Sequence, residues 1–349
     1  MLEFYKDKKL LLTGHTGFKG AWLARILVNV GAKVHGISLP AERNSIFEKT
    51  GNFGLESDLV LDIRNREELR NYLKNQKFDG VFHLAAQPLV RKSYVEPVET
   101  FNTNVMGTIH LLDALLTNNC TPWVVAITTD KVYHNVEKLE GYKESEPLGG
   151  KDPYSASKAA AEIAIAAWQN LADIKNGMRI VSARAGNVIG GGDHAEDRLL
   201  PDLVRGFKSG ERTIIRNPES LRPWQHVLDP LNGYLKLGFK LSNSKVSNAY
   251  NFGPNEKSKL NVEKMSQIAC NYWPNNAGYK IEKSEANPPE SNLLWLDSSK
   301  AKKELSWETK LDAEEAIKWT INWELEAANS SPLNALDKQI SMFFEGATL

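Results

Sequence analysis

The chain has 349 residues, 42% hydrophobic and 25% charged, ordinary values for a globular protein with one large core or two smaller ones. Its 43 basic side chains equal its 43 acidic ones, so the overall charge points neither to nucleic acid nor to an anionic membrane as partner. No uncharged apolar run approaches the roughly 18 residues of a membrane span, and Cys120 and Cys270 have neither metal-ligand nor redox spacing. The opening "MLEFYKDKKLLLTG" lacks a signal-peptide pattern, so a cytoplasmic protein with two reduced thiols is expected.

In chain order, "KLLLTG" reads as a strand and "FKGAWLARILVNVGA" as a helix closed by Gly31. "KVHGISL" is a second strand, "REELRNYLKNQ" a helix and "DGVFHLAA" another strand. "NTNVMGTIHLLDALLTNN" carries a helical apolar stripe, "WVVAITT" is a buried strand, and "SASKAAAEIAIAAWQNLAD" is a long helix. "RIVSARAGNVIG" is a strand running into a loop. Strands alternating with helices imply right-handed crossovers and a doubly wound parallel α/β sheet, Rossmann-like, which binds ligands outside the carboxyl ends of its strands. After about residue 187 the texture shifts to Gly-, Pro-, Asn- and Trp-rich loops such as "GNVIGGGDHAEDR", "RNPESLRPWQHVLD" and "EANPPESNLLWLD". The expected organisation is a dinucleotide-binding domain over 1–186, with a returning segment near 224–256 that includes "NAYNFG". Residues 187–223 and 257–349 form a smaller C-terminal substrate-binding domain. The stretch from about 325 reads as a helix or a loosely packed tail.

Between the first strand and first helix lie Gly14, Gly17 and Gly20, at three-residue spacing. Glycines here allow a tight turn and let the backbone approach a pyrophosphate at the helix N-terminus. Lys19 does not make this a P-loop, because it precedes the last glycine and no Gly-Lys-Ser/Thr follows. The acid expected on the ribose about 20 residues further on is absent; Ser38, Leu39 and Pro40 stand there, so this strand leaves NAD against NADP open. Asp62 and Ile63 read either as adenine contacts at a strand end or as an ordinary N-cap. His15 reads as a cofactor contact or as a packing residue.

Tyr154 and Lys158, in "PYSASKAAAE", share a helical face at i and i+4. An ammonium one turn from a phenol lowers the phenol's pKa, which would make Tyr154 a base for a hydroxyl proton as hydride departs. The strand "VVAITTDKVYHN" ends in Thr129, Asp130 and Lys131, a trio that reads either as proton-transfer groups or as a solvated turn. His83 and His226 read as hydrogen-bonded structural histidines, and no Asp/Cys/His cluster suggests a metal.

With these residues in view, the chain resembles the extended short-chain dehydrogenase/reductase superfamily over nearly its whole length. The resemblance rests on the three glycines, "HLAAQ" at 83–87, "NTNVMGT" at 102–108, and Thr129 with Tyr154 and Lys158. It continues through "ARAGNVIGGGD" at 183–193, "RPWQHVLD" at 222–229 and "LDSSKAKKELSW" at 296–307. Within it, "GHTGFKGAW", "TTDKVY" and "SLRPWQHVLDPLNGYL" look like the CDP-glucose 4,6-dehydratases. The resemblance implies bound NAD, with Gly14, His15, Gly17, Phe18, Gly20, Asp62, Ile63, Ala85, Ala86, Gln87, Asn104, Tyr154 and Lys158 toward the cofactor. It implies a redox-neutral dehydration in which C4 oxidation acidifies C5, water leaves from C6, and hydride returns to C6. Thr129, Asp130, Lys131, Tyr154 and Lys158 are then the catalytic set, with Lys131 as C5 base and Asp130 as C6 acid, or with Asp130 moving the proton and Lys131 positioning it. Many 4,6-dehydratases carry Glu where this chain has Lys131. Asn187, Arg198, Arg216 and Arg222 are expected on the nucleotide sugar, since guanidinium suits phosphate. A homodimer or dimer of dimers is implied through the Ala-rich helix from Ser155 to Ala172, pairing with "IHLLDALL"; packing within one chain is the plain alternative. A nucleotide-sugar epimerase, a GDP- or dTDP-linked dehydratase, or an inactive cofactor-binding regulatory protein are the rival functions.

Overall fold

The computed structural model describes residues 1–349 apart from 176, 245, 275–276, 283–292 and 345–349, so most of the "EANPPESNLL" stretch lies outside the described residues. The main sheet contains β1 (Lys9–Thr13), β2 (Lys33–Ser38), β3 (Ser57–Val60), β4 (Gly80–His83), β5 (Trp123–Ile127), β6 (Arg179–Arg184) and the strand Ala249–Asn251. All pair in parallel, in the order Ala249–Asn251, β6, β5, β4, β1, β2, β3. The chain first winds outward from β1 to β3, then returns to place β4 on the other side of β1. The crevice at the carboxyl ends of β1 and β4 is therefore the topological switch point, where such sheets bind ligands.

Alternation along each strand divides the core into two layers. Leu10, Leu12, Phe82, Trp123 and Val125 enter one cluster, with Trp22, Leu231, Tyr234 and Leu336 from the helices Phe18–Asn29, Leu228–Asn243 and Pro332–Phe343. Leu11, Val81, Val124 and Ala126 point the other way, onto Leu69, Leu111, Leu115, Ile165 and Ala172 of Arg66–Leu73, Thr108–Thr117 and Pro153–Lys175. Because both faces are covered, β4 and β5 are buried throughout and read as unbroken apolar runs. Gly80 opens β4 because a Cβ there would lie 1.9 Å from the Trp123 ring.

A third cluster joins Leu200, Leu203, Phe207, Met265, Ile268, Ile317 and Ile321 of the helices Leu199–Ser209, Val262–Tyr272 and Ala313–Asn329. Short ladders edge this region: Val188–Ile189 pairs with Gln225–His226, and Leu221–Pro223 runs antiparallel to Lys259–Asn261. The C-terminal stretch is tightly held. In the helix Pro332–Phe343, Ala335, Leu336 and Ile340 are fully buried, and Asp337 takes two hydrogen bonds of 2.6 Å from the Arg25 guanidinium. Among the described residues no helix is long and apolar enough to cross a membrane.

Candidate active site

The turn after β1 is built by backbone contact. Gly14 has φ +77°, and a Cβ on it would meet the Ala85 amide nitrogen at 2.6 Å, while one on Gly20 would reach the Gly14 carbonyl at 2.0 Å. These glycines let the first helix, β1 and the end of β4 close on one another. Gly17 is the N-cap of Phe18–Asn29 and is exposed, so the unpaired N–H groups of the first turn face the switch-point crevice. A dinucleotide pyrophosphate fits this arrangement. Thr13 ties the two strand ends together: its hydroxyl lies 2.7 Å from His83 Nδ1 and accepts from the Ala85 N–H at 3.2 Å. His83 also meets the Thr108 hydroxyl at 3.0 Å, and burial holds its pKa down at about 3, so it is a neutral structural histidine. Burial has the same effect on His226, whose ring lies edge-on to those of Trp22 and Trp319.

The trio at the end of β5 is brought into the same crevice. Thr129 caps a short 3-10 turn, Asp130–Val132, and its hydroxyl donates to Asp130 Oδ1 at 2.9 Å. Asp130 is buried, and its carboxyl group is the reason for Gly186: a Cβ there would sit 2.0 Å from Asp130 Cγ. Lys131 is half-buried, and its backbone N–H reaches Thr129 Oγ1 at 3.4 Å. Tyr154 and Lys158 both lie on the buried face of Pro153–Lys175, with the Thr129 hydroxyl near enough to the phenol to favour its ionised form.

The electrostatics differ from the expectation of a phenol depressed by Lys158. Burial outweighs the opposing influence of Thr129 and pushes Tyr154 up to about 12, while burial pulls Lys158 down to about 8. The Lys158 amine donates to the Ile127 carbonyl at 3.3 Å, so its charge is spent on the end of β5.

One turn beyond Lys158 stands Glu162, which the sequence reading passed over. It accepts from Thr128 Oγ1 at 2.5 Å, Ser182 Oγ at 2.8 Å, and Arg184 Nε and Nη2 at 3.0 and 2.7 Å. Arg184 also donates to Tyr133 Oη at 2.7 Å. Burial opposes the guanidinium charge, but its hydrogen bonds to Glu162 raise the pKa above the ordinary value. The i, i+4, i+8 spacing of Tyr154, Lys158 and Glu162 was the available signal.

Several residues expected on the cofactor act on the scaffold. Asn104, in the π-turn Asn102–Gly107, accepts from the Gln87 N–H at 2.9 Å and donates to the Gln87 carbonyl at 3.1 Å and Ser157 Oγ at 2.9 Å. It thereby fixes the β4 end, including Ala85, Ala86 and Gln87, against the helix carrying Lys158. His15 turns its ring inward, with Nε2 2.8 Å from Asp58 and its edge against Phe47. Ile63 is buried against Gly107, and Asp62 is held by Arg64 at 2.6 Å. Phe18 opens the first helix and reaches toward Gly190. Ser38, where the ribose acid is missing, lies 2.6 Å from the Thr16 hydroxyl.

The loop-rich half contributes unequally. Arg198 pairs with Asp193 at 2.8 Å and is close enough to Tyr154 to oppose the rise in its pKa. Asn187 adopts φ +50° in the turn between β6 and Val188–Ile189, where its carbonyl accepts from the Gln225 N–H. Arg222 donates to the Leu221 carbonyl, and Arg216 is exposed just past the strand Thr213–Ile215. Among the described residues no cluster could hold a metal ion.

The family profile described as GDP-mannose 4,6 dehydratase matches residues 11–320. CDP-glucose 4,6-dehydratase of Salmonella typhimurium is 44% identical over 329 residues, covering 92% of this chain and 91% of that protein. dTDP-glucose 4,6-dehydratase of Haemophilus influenzae is 27% identical over 346 residues, 92% of this chain and 99% of that protein. Among solved structures, DesIV, a dTDP-glucose 4,6-dehydratase from Streptomyces venezuelae with NAD bound, superposes with TM-score 0.79 at 23% identity, covering 93% of this chain and 99% of that one. UDP-glucose 4-epimerase of Thermus thermophilus, with NAD, superposes with TM-score 0.78 at 22% identity over 91% of this chain and 99% of that one.

Removing one partner of a buried ion pair leaves the other charge uncompensated, so Glu162→Ala is expected to cost roughly 3–5 kcal/mol of stability in urea unfolding. A loss below about 1 kcal/mol would show that the pair does not hold the strand ends to the helix.

Proposed function

We propose that this chain, which belongs to the GDP-mannose 4,6 dehydratase family, converts CDP-glucose to CDP-4-keto-6-deoxyglucose and water. It is a nucleotide-sugar 4,6-dehydratase, a hydro-lyase. The observation that carries the reading is the Asp130 carboxyl, buried against Gly186, hydrogen-bonded by Thr129 and close enough to Tyr154 to influence its phenol. An epimerase has no use for such an acid beside its phenol. The CDP-glucose substrate is supported by the 44% identity to the Salmonella enzyme over nearly the full length of both chains.

The glycine turn, the β4 end at Ala85–Gln87 and Lys158 would hold NAD, which supplies a reversible store for the hydride taken from C4 and returned at C6. Tyr154 Oη takes the 4-hydroxyl proton, and the C4 ketone makes the C5 proton acidic. Lys131 removes that proton, while Asp130 protonates the departing C6 hydroxyl. Lys131 then returns its proton to C5. Asp130 needs one proton to reset and Tyr154 holds one, taken from O4. Thr129 Oγ1, hydrogen-bonded to Asp130 and close to the phenol, offers a route between them. Arg198, with Asn187, Arg216 and Arg222 from the segments 187–223 and 257–349, is assigned to the nucleotide diphosphate as a substrate-binding region.

We infer further that the enzyme works as a cytoplasmic homodimer. Cys120 and Cys270 are free thiols, in keeping with a reducing compartment. The helix Thr108–Thr117 is packed within its own chain, through Leu111, Leu112 and Leu115. The face left for a partner is the neighbouring one, where Val95, Val98, Phe101, Met106 and Ile163 are exposed. Sedimentation is expected to give a dimer that Val98→Glu with Ile163→Glu dissociates; a wild-type monomer would refute this.

Incubation with NAD and CDP-, dTDP- and GDP-hexoses is expected to yield a 4-keto product, read by its absorbance in alkali, from CDP-glucose. No product from CDP-glucose would sink the assignment. In Lys131→Ala, solvent deuterium is expected not to enter C5; undiminished exchange would exclude Lys131 as the base and leave proton transfer to Asp130.

A further inference from the structure

Lys19 is the cation in the crevice that the cycle above does not use. It is the second residue of the helix Phe18–Asn29, immediately after the glycine turn, and is partly buried. Its amine lies 5.9 Å from the centre of the buried Tyr234 ring, and Tyr234 in turn feels the charge of Tyr154. The charges around the amine are Arg198, Lys158, Asp130 and Asp193. Among the described residues it makes no hydrogen bond or ion pair, and Asp193 is engaged by Arg198. A residue needed only to cover Tyr234 would be apolar here. An ammonium placed beside two other cations, with no carboxylate of its own, is electrostatically costly. Burial, followed by the charges of Arg198 and Lys158, lowers its pKa to about 8, so it still carries its proton at neutral pH.

The chemistry of the cycle brings a second positive charge into the same crevice. Tyr154 takes the proton from the hydroxyl on the same carbon that yields hydride, so hydride leaves the sugar within a few ångströms of the phenol. The oxidised nicotinamide ring is positively charged and the reduced ring is neutral. A fixed positive charge at this point raises the energy of the oxidised form alone. We propose that Lys19 poises the redox equilibrium of the bound cofactor: its unpaired ammonium disfavours oxidised relative to reduced nicotinamide, and so strengthens hydride uptake from C4. This rests on the NAD-dependent dehydratase reading above.

The test is direct binding without sugar: titration calorimetry of NAD and NADH with wild-type, Lys19→Met and Lys19→Arg protein, each checked by its melting curve. In Lys19→Met the ratio of NADH to NAD affinity is expected to fall about five- to tenfold, the effect of deleting one charge several ångströms from another in a half-buried site. The fall should come chiefly from tighter NAD binding, and Lys19→Arg should stay within about twofold of wild type because it keeps the charge. If Lys19→Met does not fold, Lys19→Gln makes the same measurement. A parallel loss of both affinities would overturn the proposal and make Lys19 a phosphate ligand, and an unchanged ratio would overturn it as a packing lysine. Wild-type protein that bound neither dinucleotide would overturn the dehydratase reading itself.

Discussion

The buried pair of Glu162 and Arg184 is the contact on which the geometry of the site depends. The helix Pro153–Lys175 carries the phenol and the amine, but the acid and hydroxyl stand on a different element, at the end of β5. Helix packing through Ile165 and Ala172 fixes distance and leaves the helix free to slide or rotate by small amounts. Glu162 removes that freedom, because a single carboxylate takes hydrogen bonds from Thr128 on β5's exit and from Ser182 and Arg184 on β6. The arginine extends the tie to Tyr133, just beyond the 3-10 turn of Asp130 and Lys131. One ion pair therefore sets the helix bearing Tyr154 and Lys158 against the strand end bearing Thr129 and Asp130. A network satisfied at every donor tolerates burial that a bare pair would not.

Backbone proximity is the second constraint. Gly14, Gly20 and Gly186 each stand where a methyl group would overlap a neighbour: the Ala85 backbone, the Gly14 carbonyl and the Asp130 carboxyl. The first two bring the helix N-terminus to the crevice, and the third lets an acid be seated in a wall of the site with almost no contact with water. Such a carboxyl relies on local donors, and Thr129 provides one. The two readings of the trio in "ITTDKVYHN" are thus separated by a glycine more than 50 residues away in sequence.

What was legible in the sequence was periodic or glycine-marked. The apolar runs of β1, β4 and β5 and the three glycines place the sheet, the turn and the switch point, because local pattern alone determines them. The tyrosine–lysine pair is legible for the same reason, being one helical turn. Burial was not legible. The expected pKa order assumed that Lys158 acts on Tyr154 through space, whereas its amine is turned to the Ile127 carbonyl and desolvation dominates both groups. His15 and Asn104 stand in motifs that the resemblance places toward the cofactor, and the fold adds what the motifs do not show, that their side chains brace Asp58 and Ser157. Arg198 and Arg216 looked alike as loop arginines; only the fold distinguishes the one beside Asp193 and Tyr154 from the one in solvent.

The inverted order of phenol and amine has a consequence for catalysis. Burial moves Tyr154 up to about 12 and Lys158 down to about 8, so both favour their neutral forms and the phenol is a poor acid in this setting. A phenol that must take and release a proton within one cycle needs the opposing effect, positive charge placed close by. Arg198 already acts in that sense on Tyr154. Lys19, off the glycine turn, adds a further charge to the group of Arg198, Lys158, Asp130 and Asp193. In the proposed cycle, positive charge favouring the phenolate therefore comes from the loop-rich half of the chain and not from the amine on the tyrosine's own helix.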